Sequence, residues 1–330
     1  MKKILALVLA IAMLATFAAC GGAKEAEYKL GMGISVSLDS SKDQTAQADA
    51  TVATVVLDAE GKIVAADLDC AQTKVKAADV DDLSKVDVRT KKEKKEDYNM
   101  KGASPIGKEW YEQAAAFVEK MVGKTVADIE AIETKGENGH NVAVDADLYA
   151  ACTMDITAFK AAFVAACKDA QAKTFTAAAD SFKLGLDVET NVTGSKATEA
   201  QLYSTFGAIV VDKDGKTLAA IVDEIQPKVT FDEEGVVADK KYTDTKRNLK
   251  EDYNMVKFSP EGTCIAEWYV QAASLTDYIA EKGMTADEIA AIATADTRKD
   301  GYMRPTDADL AAVCTMQIAG YQAVLANAAK

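Results

Sequence analysis

The same set of sequence blocks occurs twice in this chain, and this duplication constrains the fold more than any other feature. The block YKLG that starts at Tyr28 returns as FKLG at Phe182, and the block KEDYNM occurs whole in both halves. The first pair is offset by 154 residues (182 minus 28). An offset of about 150 residues matches one domain per copy and is far longer than the repeat of a solenoid protein. We therefore predict two tandem copies of one domain, spanning residues 27–173 and 181–330.

Each copy begins with the pattern of a β-hairpin. Two partly alternating apolar runs flank a turn that contains glycine, Asp58-x-x-Gly61 in the first copy and Asp212-x-x-Gly215 in the second. The segment AQAKTFTAAAD, residues 170–180, lies between the copies. It is predicted to be either the tail of a helix or a linker.

Helices are predicted after the hairpin in both copies. One helix has an apolar face in each copy, formed by Trp110, Ala114, Phe117, Val118 and Met121, and by Trp268, Ala272, Leu275 and Ile279. A short second helix starts at the capping boxes Thr125-x-x-Asp128 and Thr285-x-x-Glu288. The apolar face of the last helix contains Ile156, Phe159, Phe163 and Cys167, matched by Ile318, Tyr321 and Leu325. The predicted fold class is α+β: a small antiparallel sheet packed with helices, made twice.

A polar pair is repeated together with the apolar residues. DADLYAACTMDI ends the first copy and DADLAAVCTMQI the second, so Cys152-Thr153 is matched by Cys314-Thr315. Each threonine is predicted to lie just before the last helix. There it either caps the helix, with the cysteine packed as a small apolar residue, or it faces a phosphate held by the free N–H groups of the helix N-terminus.

The duplicated hairpin, the EWY helix and the terminal threonine turn resemble the FMN-binding domain family of extracytoplasmic electron-transfer lipoproteins. The family motif is Ser/Thr-Gly-Ala-Thr/Ser, whose last hydroxyl takes FMN through a phosphoester bond. The matching positions here are 150–153 and 312–315, which keep Thr153 and Thr315 but replace the glycine by Ala151 and Val313. If that position needs positive φ or close phosphate contact, Val313 is the less suitable residue.

The resemblance implies a function as well as a fold. FMN would be held near Thr153 and Thr315, with Cys152 and Cys314 beside it, and the covalent bond is expected at Thr153 rather than at Thr315. FMN carries electrons itself, so the chain would be an electron carrier and not an enzyme. A flavin transferase and a membrane electron donor are the implied partners. The alternative is a non-catalytic binding or structural lipoprotein built on degenerate copies of the same domain.

The N-terminus predicts secretion and lipid anchoring. Lys2 and Lys3 precede an apolar run that is too short to span a membrane, and small residues lead to Cys20. This pattern resembles a bacterial lipoprotein signal, with residues 1–20 as signal and lipidation cysteine and 21–26 as a tether. The predicted location is the outer face of the cytoplasmic membrane. The formal net charge of -14 argues against nucleic acid as a partner, since nucleic acid is a polyanion.

Other candidate groups receive structural interpretations. His140 is the only histidine and lies in a predicted surface loop. The lysine-rich run 91–95 is predicted to be a solvated strand or loop edge. Tyr98 and Tyr253 of the KEDYNM blocks either pack on the sheet or stack on a ligand. The five cysteines after Cys20 have neither the number nor the spacing of a disulfide framework or a zinc site.

Overall fold

The computed structural model describes residues 24–137, 139–169, 171–196, 198–241 and 244–330. The predicted signal peptide and Cys20 lie outside the described residues. The last two residues of the predicted tether, Glu25 and Ala26, are the start of the first strand and not a flexible leader.

Among the residues that the structure describes, the first copy contains five strands and five α-helices. The strands are β1 (Glu25–Ser37), β2 (Thr45–Leu57), β3 (Ile63–Lys76), β4 (Thr134–Glu137) and β5 (His140–Ala143). The helices are α1 (Lys91–Lys94), α2 (Trp110–Met121), α3 (Val126–Glu130), α4 (Ala146–Ala151) and α5 (Thr157–Cys167). Strand β6 (Lys173–Ala178) follows and connects to the second copy.

The second copy repeats this order with a more divided sheet. Its strands are β7 (Phe182–Asn191), β8 (Glu199–Gln201), β9 (Tyr203–Asp212), β10 (Thr217–Ile225), β11 (Lys228–Phe231), β12 (Val237–Lys241), β13 (Thr294–Ala295) and β14 (Arg304–Pro305). Its helices are α6 (Lys246–Leu249), α7 (Met255–Phe258), α8 (Trp268–Glu281), α9 (Ala286–Ala290), α10 (Ala308–Val313) and α11 (Ala319–Ala328). Helices and antiparallel sheets are combined throughout, so the fold class is α+β.

Two antiparallel sheets form the centre of the molecule. One has the strand order β3-β2-β1-β6 and the other β10-β9-β7, while β12-β11-β8 extends the second copy. The predicted hairpins are confirmed, and each begins its turn with an aspartate whose carboxylate accepts backbone N–H groups of the turn. Asp58 accepts from Lys62 at 2.8 Å, and Asp212 accepts from Lys216 at 2.9 Å.

The two sheets pack face to face and share one apolar core. Val52 and Val56 of β2 point into this core together with Phe206 and Val210 of β9. The intervening residues of each strand, such as Val55, point to the helices on the outer face. A strand that is buried on both faces reads as a continuous apolar run, which is why the alternation in the sequence is only partial.

The glycine that ends each KLG block is explained by helix packing. A Cβ atom at Gly31 would overlap the carbonyl oxygen of Ala166 in α5, and a Cβ at Gly185 would overlap that of Ala328 in α11. Glycine is therefore required for the last helix of each copy to lie directly against the sheet.

Two sequence interpretations of secondary structure are wrong. Residues 173–178 form strand β6, which pairs with β1 from Ala178 opposite Glu25 to Lys173 opposite Leu30, and are neither helix tail nor linker. Residues 91–95 are not a strand or loop edge, because Thr90 caps α1 through a complete capping box with Glu93. The boxes predicted at Thr125 and Thr285 are confirmed.

Candidate functional site

Each copy has a cleft, and each cleft has one of the repeated threonines in its wall. The first cleft, with a volume of about 900 Å³, is lined by residues that include Thr153, Tyr98, Trp110 and Met154. The second cleft, of about 780 Å³, is lined by the equivalent residues Thr315, Tyr253, Trp268 and Met316. Both volumes lie within the range of about 300–1,000 Å³ that is usual for small-molecule and cofactor sites.

A buried glutamine holds each threonine. Oε1 of Gln113 accepts the backbone N–H of Thr153 at 2.9 Å and its hydroxyl at 3.2 Å. Oε1 of Gln271 accepts the same two groups of Thr315 at 2.7 and 3.1 Å. Both glutamines are fully buried. The repeated glutamine of EWYxQAA was the sequence signal for this contact. The glutamine and the threonine are 40 residues apart in the first copy and 44 in the second, so no local pattern indicates the pairing.

The threonines do not cap the last helices, which is a correction to the sequence prediction. Helix α5 begins at Thr157 with Ile156 as its N-cap, and α11 begins at Ala319 after Ile318. A short non-helical turn separates each threonine from its helix. Both threonine side chains are half-buried at the cleft wall.

The KEDYNM block is fixed by the glutamate of EWY. The carboxylate of Glu109 accepts the backbone N–H groups of Met100 and Lys101 at 2.8 and 3.0 Å. Glu267 accepts from Met255 and Val256 in the same way, at 2.7 and 3.2 Å. The two repeated blocks therefore form one structural unit, which places Tyr98 or Tyr253 beside the cleft.

At the floor of the second cleft, a lysine and a glutamate neutralise each other within a network of hydrogen bonds. Nζ of Lys246 lies 2.9 Å from Oε1 of Glu224, and the hydroxyl of Tyr321 donates to Oε2 of Glu224 at 2.6 Å. The indole N–H of Trp268 donates to the Tyr321 oxygen at 2.9 Å. Burial and the adjacent carboxylate raise the pKa of Tyr321 well above its ordinary value, so this hydroxyl keeps its proton.

The first cleft has a different floor. Lys91 is the residue equivalent to Lys246. Its Nζ lies 5.1 Å from the ring centre of Tyr98 and 5.7 Å from that of Trp110. Cys70 replaces Glu224, and burial raises the pKa of its thiol, so it is uncharged at neutral pH. Within the described ranges Lys91 forms no ion pair, whereas its neighbours Lys92 and Lys94 do.

The repeated cysteines do not reach the clefts. Cys152 and Cys314 are 0% and 1% exposed and pack in the helix–sheet cores of their copies. Burial raises the pKa of each thiol to about 11, which leaves both protonated and unreactive. All five described cysteines are free thiols.

The structure removes the physical reason for preferring Thr153 over Thr315. Ala151 and Val313 are the last residues of α4 and α10, so neither position requires the left-handed conformation that glycine provides. The side chain of Val313 is 41% exposed and points away from the packed core.

A buried aspartate lies next to each cleft floor and predicts a pH effect. Burial raises the pKa of Asp69 and of Asp223 to about 6, above the value near 3.8 of an unfolded chain. The folded state then binds more protons between about pH 4 and 6, so these groups favour folding below pH 4 and this contribution is lost as the pH rises to about 6. Urea unfolding from pH 4 to 7 is expected to show a weaker pH dependence of this sign in Asp223→Asn than in the parent.

Asp128→Asn is the control for this prediction. Hydrogen bonds from Thr125 lower the pKa of the exposed Asp128 carboxylate, so its contribution is lost as the pH falls. Because the pKa of this carboxyl does not exceed 3.8 in either state, Asp128→Asn should leave the profile between pH 4 and 7 the same as in the parent. Identical profiles for Asp223→Asn and the parent would contradict the assignment.

His140 is exposed at the start of β5 and lines the first cleft with its neighbour Asn141. Both tryptophans are core residues, as predicted, with exposures of 3% and 2%. Among the residues that the structure describes, no group of three or more His, Cys, Asp or Glu is arranged to hold a metal ion. None of the described helices is both long and apolar enough to cross a bilayer.

The geometry defines an α+β protein with two clefts at equivalent positions, each walled by a glutamine-held threonine and aromatic side chains. No protein-family profile, curated protein or solved structure matches the chain.

Proposed function

We propose that this chain is a membrane-anchored, extracytoplasmic FMN-binding lipoprotein that carries electrons. The observation that carries the proposal is the position of the repeated threonines. Thr153 and Thr315 lie 162 residues apart in sequence (315 minus 153). Each is nevertheless in the wall of a cofactor-sized cleft and is hydrogen-bonded to the equivalent buried glutamine of its copy.

The residues of the clefts fit a flavin. Aromatic and methionine side chains provide flat, polarizable walls for a fused ring, and a lysine and hydroxyl groups provide polar contacts at the floor and wall. A bound flavin would supply reversible electron transfer. The chain would bind the ring, exclude water from it and hold its phosphate near a threonine.

A covalent bond at the threonine requires one further reaction. The Oγ1 atom would form an ester bond to the phosphorus of an activated FMN donor held by a transferase. The bond from that phosphorus to the leaving group would break, and a base of the transferase would take the hydroxyl proton. The hydroxyl of Thr153 donates to Gln113, which leaves the lone pairs of Oγ1 available. The same holds for Thr315 and Gln271.

The alternative function is non-covalent binding by a structural or binding lipoprotein. It is favoured by the fact that Thr153 does not cap a helix, since α5 begins at Thr157 with Ile156 as its N-cap. In that case Thr153→Ala removes one side-chain hydrogen bond, at a cost of about 0.5–1.5 kcal/mol, and no bound chromophore is lost.

The test is co-expression of the chain with a flavin transferase, followed by absorbance spectroscopy and in-gel fluorescence after denaturation. The expected result is flavin fluorescence that survives denaturation. This fluorescence should be lost in Thr153→Ala, in Thr315→Ala or when both substitutions are made. Thr125→Ala, which changes a helix cap outside both clefts, should leave the signal unchanged. Colourless protein under these conditions would refute the flavin proposal, and a flavin released by denaturation would refute only the covalent form.

A further inference from the structure

The two clefts differ in the charge of their linings, although their threonines are equivalent. The second cleft is lined by three basic and two acidic side chains, a balance of +1: Lys246, Arg298 and Arg304 against Glu224 and Asp300. The chain has only four arginines, and two of them are here, in a protein with a net charge of -14. A positive cleft is therefore a local feature and not a consequence of composition.

The ion pairs within this cleft leave one cation without a carboxylate. Lys246 is paired with Glu224, and Arg304 holds Asp300 through two bonds of 2.8 Å. Nε of Arg304 also donates to the carbonyl oxygen of Thr315 at 3.0 Å, which ties the arginine to the threonine wall. The exposed Arg298 donates to the backbone carbonyl of Thr263 and has no ion-pair partner in the described part of the chain.

The first cleft has the opposite balance. Its one lysine, Lys91, is outnumbered by four carboxylates, Asp39, Asp49, Glu137 and Asp155, which gives a balance of -3. The Asp155 carboxylate accepts the first backbone N–H of α5 at 2.8 Å. The position equivalent to Asp155 in the second copy is the neutral Gln317. A phosphate beside Thr153 would meet this carboxylate, and a phosphate beside Thr315 would not.

The rim of the second cleft also has exposed aromatic rings, whereas among the described residues no exposed Phe, Tyr or Trp lines the first cleft. Phe258 is 77% exposed and Tyr302 is 56% exposed, and both line the cleft. The residue that corresponds to Phe258 in the first cleft is Ala103. An exposed aromatic ring beside a guanidinium group provides a stacking surface and a charge for the same ligand.

We infer that the second cleft is the binding site for an aromatic phosphate, with Arg298 as its anion contact and Phe258 as its stacking surface. The first cleft, with its negative balance, then binds the same phosphate more weakly. The choice of an aromatic phosphate rests on the proposed function, whereas the preference for an anion rests on the cleft charges.

The test compares ligands with and without phosphate on the full chain by calorimetry. FMN is compared with riboflavin, and 1-naphthyl phosphate with 1-naphthol, which separates charge from flavin recognition. In each pair the phosphate is expected to bind more tightly. Arg298→Gln should weaken binding of the phosphate by about tenfold and leave the uncharged partner unchanged. Phe258→Ala, which installs the first-cleft residue, should weaken both members of a pair to a similar extent.

Two control variants lie in the first copy. Arg89→Gln changes the net charge equally at a surface arginine outside both clefts, and Lys91→Gln changes the first cleft, so neither should alter the phosphate preference. Loss of the preference in Lys91→Gln, equal binding within both ligand pairs, or no binding of either pair overturns the inference. Binding of the naphthyl pair with dependence on Arg298 but no binding of the flavins upholds the anion site and refutes the flavin function. Flavin binding that is unchanged in Arg298→Gln upholds the flavin function and refutes the anion site.

Discussion

Phe206→Ala is expected to lower the free energy of unfolding by about 3–5 kcal/mol, since it removes a fully buried ring and leaves a cavity. Phe206 lies in the core shared by the two sheets, where it packs with residues of both copies. Its loss should therefore destabilise both copies, even though the substitution is in the second.

The two tryptophans make this coupling measurable, because Trp110 belongs to the first copy and Trp268 to the second. Denaturant unfolding is followed by fluorescence in Trp110→Phe and Trp268→Phe backgrounds. Phe206→Ala should shift both midpoints together. A shift confined to Trp268 would show that the copies unfold independently. Phe258→Ala makes the same substitution at an exposed ring and should change stability by no more than about 0.5 kcal/mol.

Arg247→Met is expected to cost about 3–5 kcal/mol, because it leaves a buried carboxylate without its charge partner. The Nη2 atom of Arg247 donates to both oxygens of Asp169 at 3.1 and 3.0 Å, and the side chains are 8% and 6% exposed. Asp169 belongs to the first copy and also accepts the backbone N–H of Met32 in β1 at 3.1 Å. The pair therefore links the two copies through a contact that is largely buried.

The double variant Arg247→Met with Asp169→Asn separates the lost charge from lost packing. It should recover more than half of the loss in unfolding free energy, since the remaining amide is neutral and still accepts from Met32. Arg89→Met is the control: Arg89 pairs with Asp87 and Asp97 at the surface with 47% exposure, and its loss should cost no more than about 1 kcal/mol. Equal losses in Arg247→Met and Arg89→Met would contradict the role given to burial.

Much of the local structure was predictable because it depends on short-range chemistry. The turns at Asp58 and Asp212 and the caps at Thr125 and Thr285 involve residues no more than four positions apart. The buried helix faces follow from the period of 3.6 residues. Strand β6 was missed because its partner β1 lies about 150 residues away in the chain, and no local pattern marks such a pairing.

The candidate site was predictable only in part for the same reason. Repetition singled out Thr153 and Thr315, and the structure places both in cleft walls. The interpretation of each as a helix cap was wrong, because its hydrogen-bond partner is a glutamine on a different helix. The cluster of Arg298 and Arg304 was visible as half of the arginines of the chain, but their position beside Thr315 depends on how β14 and α10 fold together.

The sequence by itself determined that one α+β unit is made twice, where its turns and caps fall, and which threonine recurs. These properties follow from repetition and from interactions between near neighbours. Only the tertiary structure decided that the two sheets share a core, that the cysteines beside the threonines are buried, and that the two clefts have opposite charge balances. Each of these depends on residues that are distant in the chain and adjacent in space, and a local sequence pattern contains no information about which distant residues will meet.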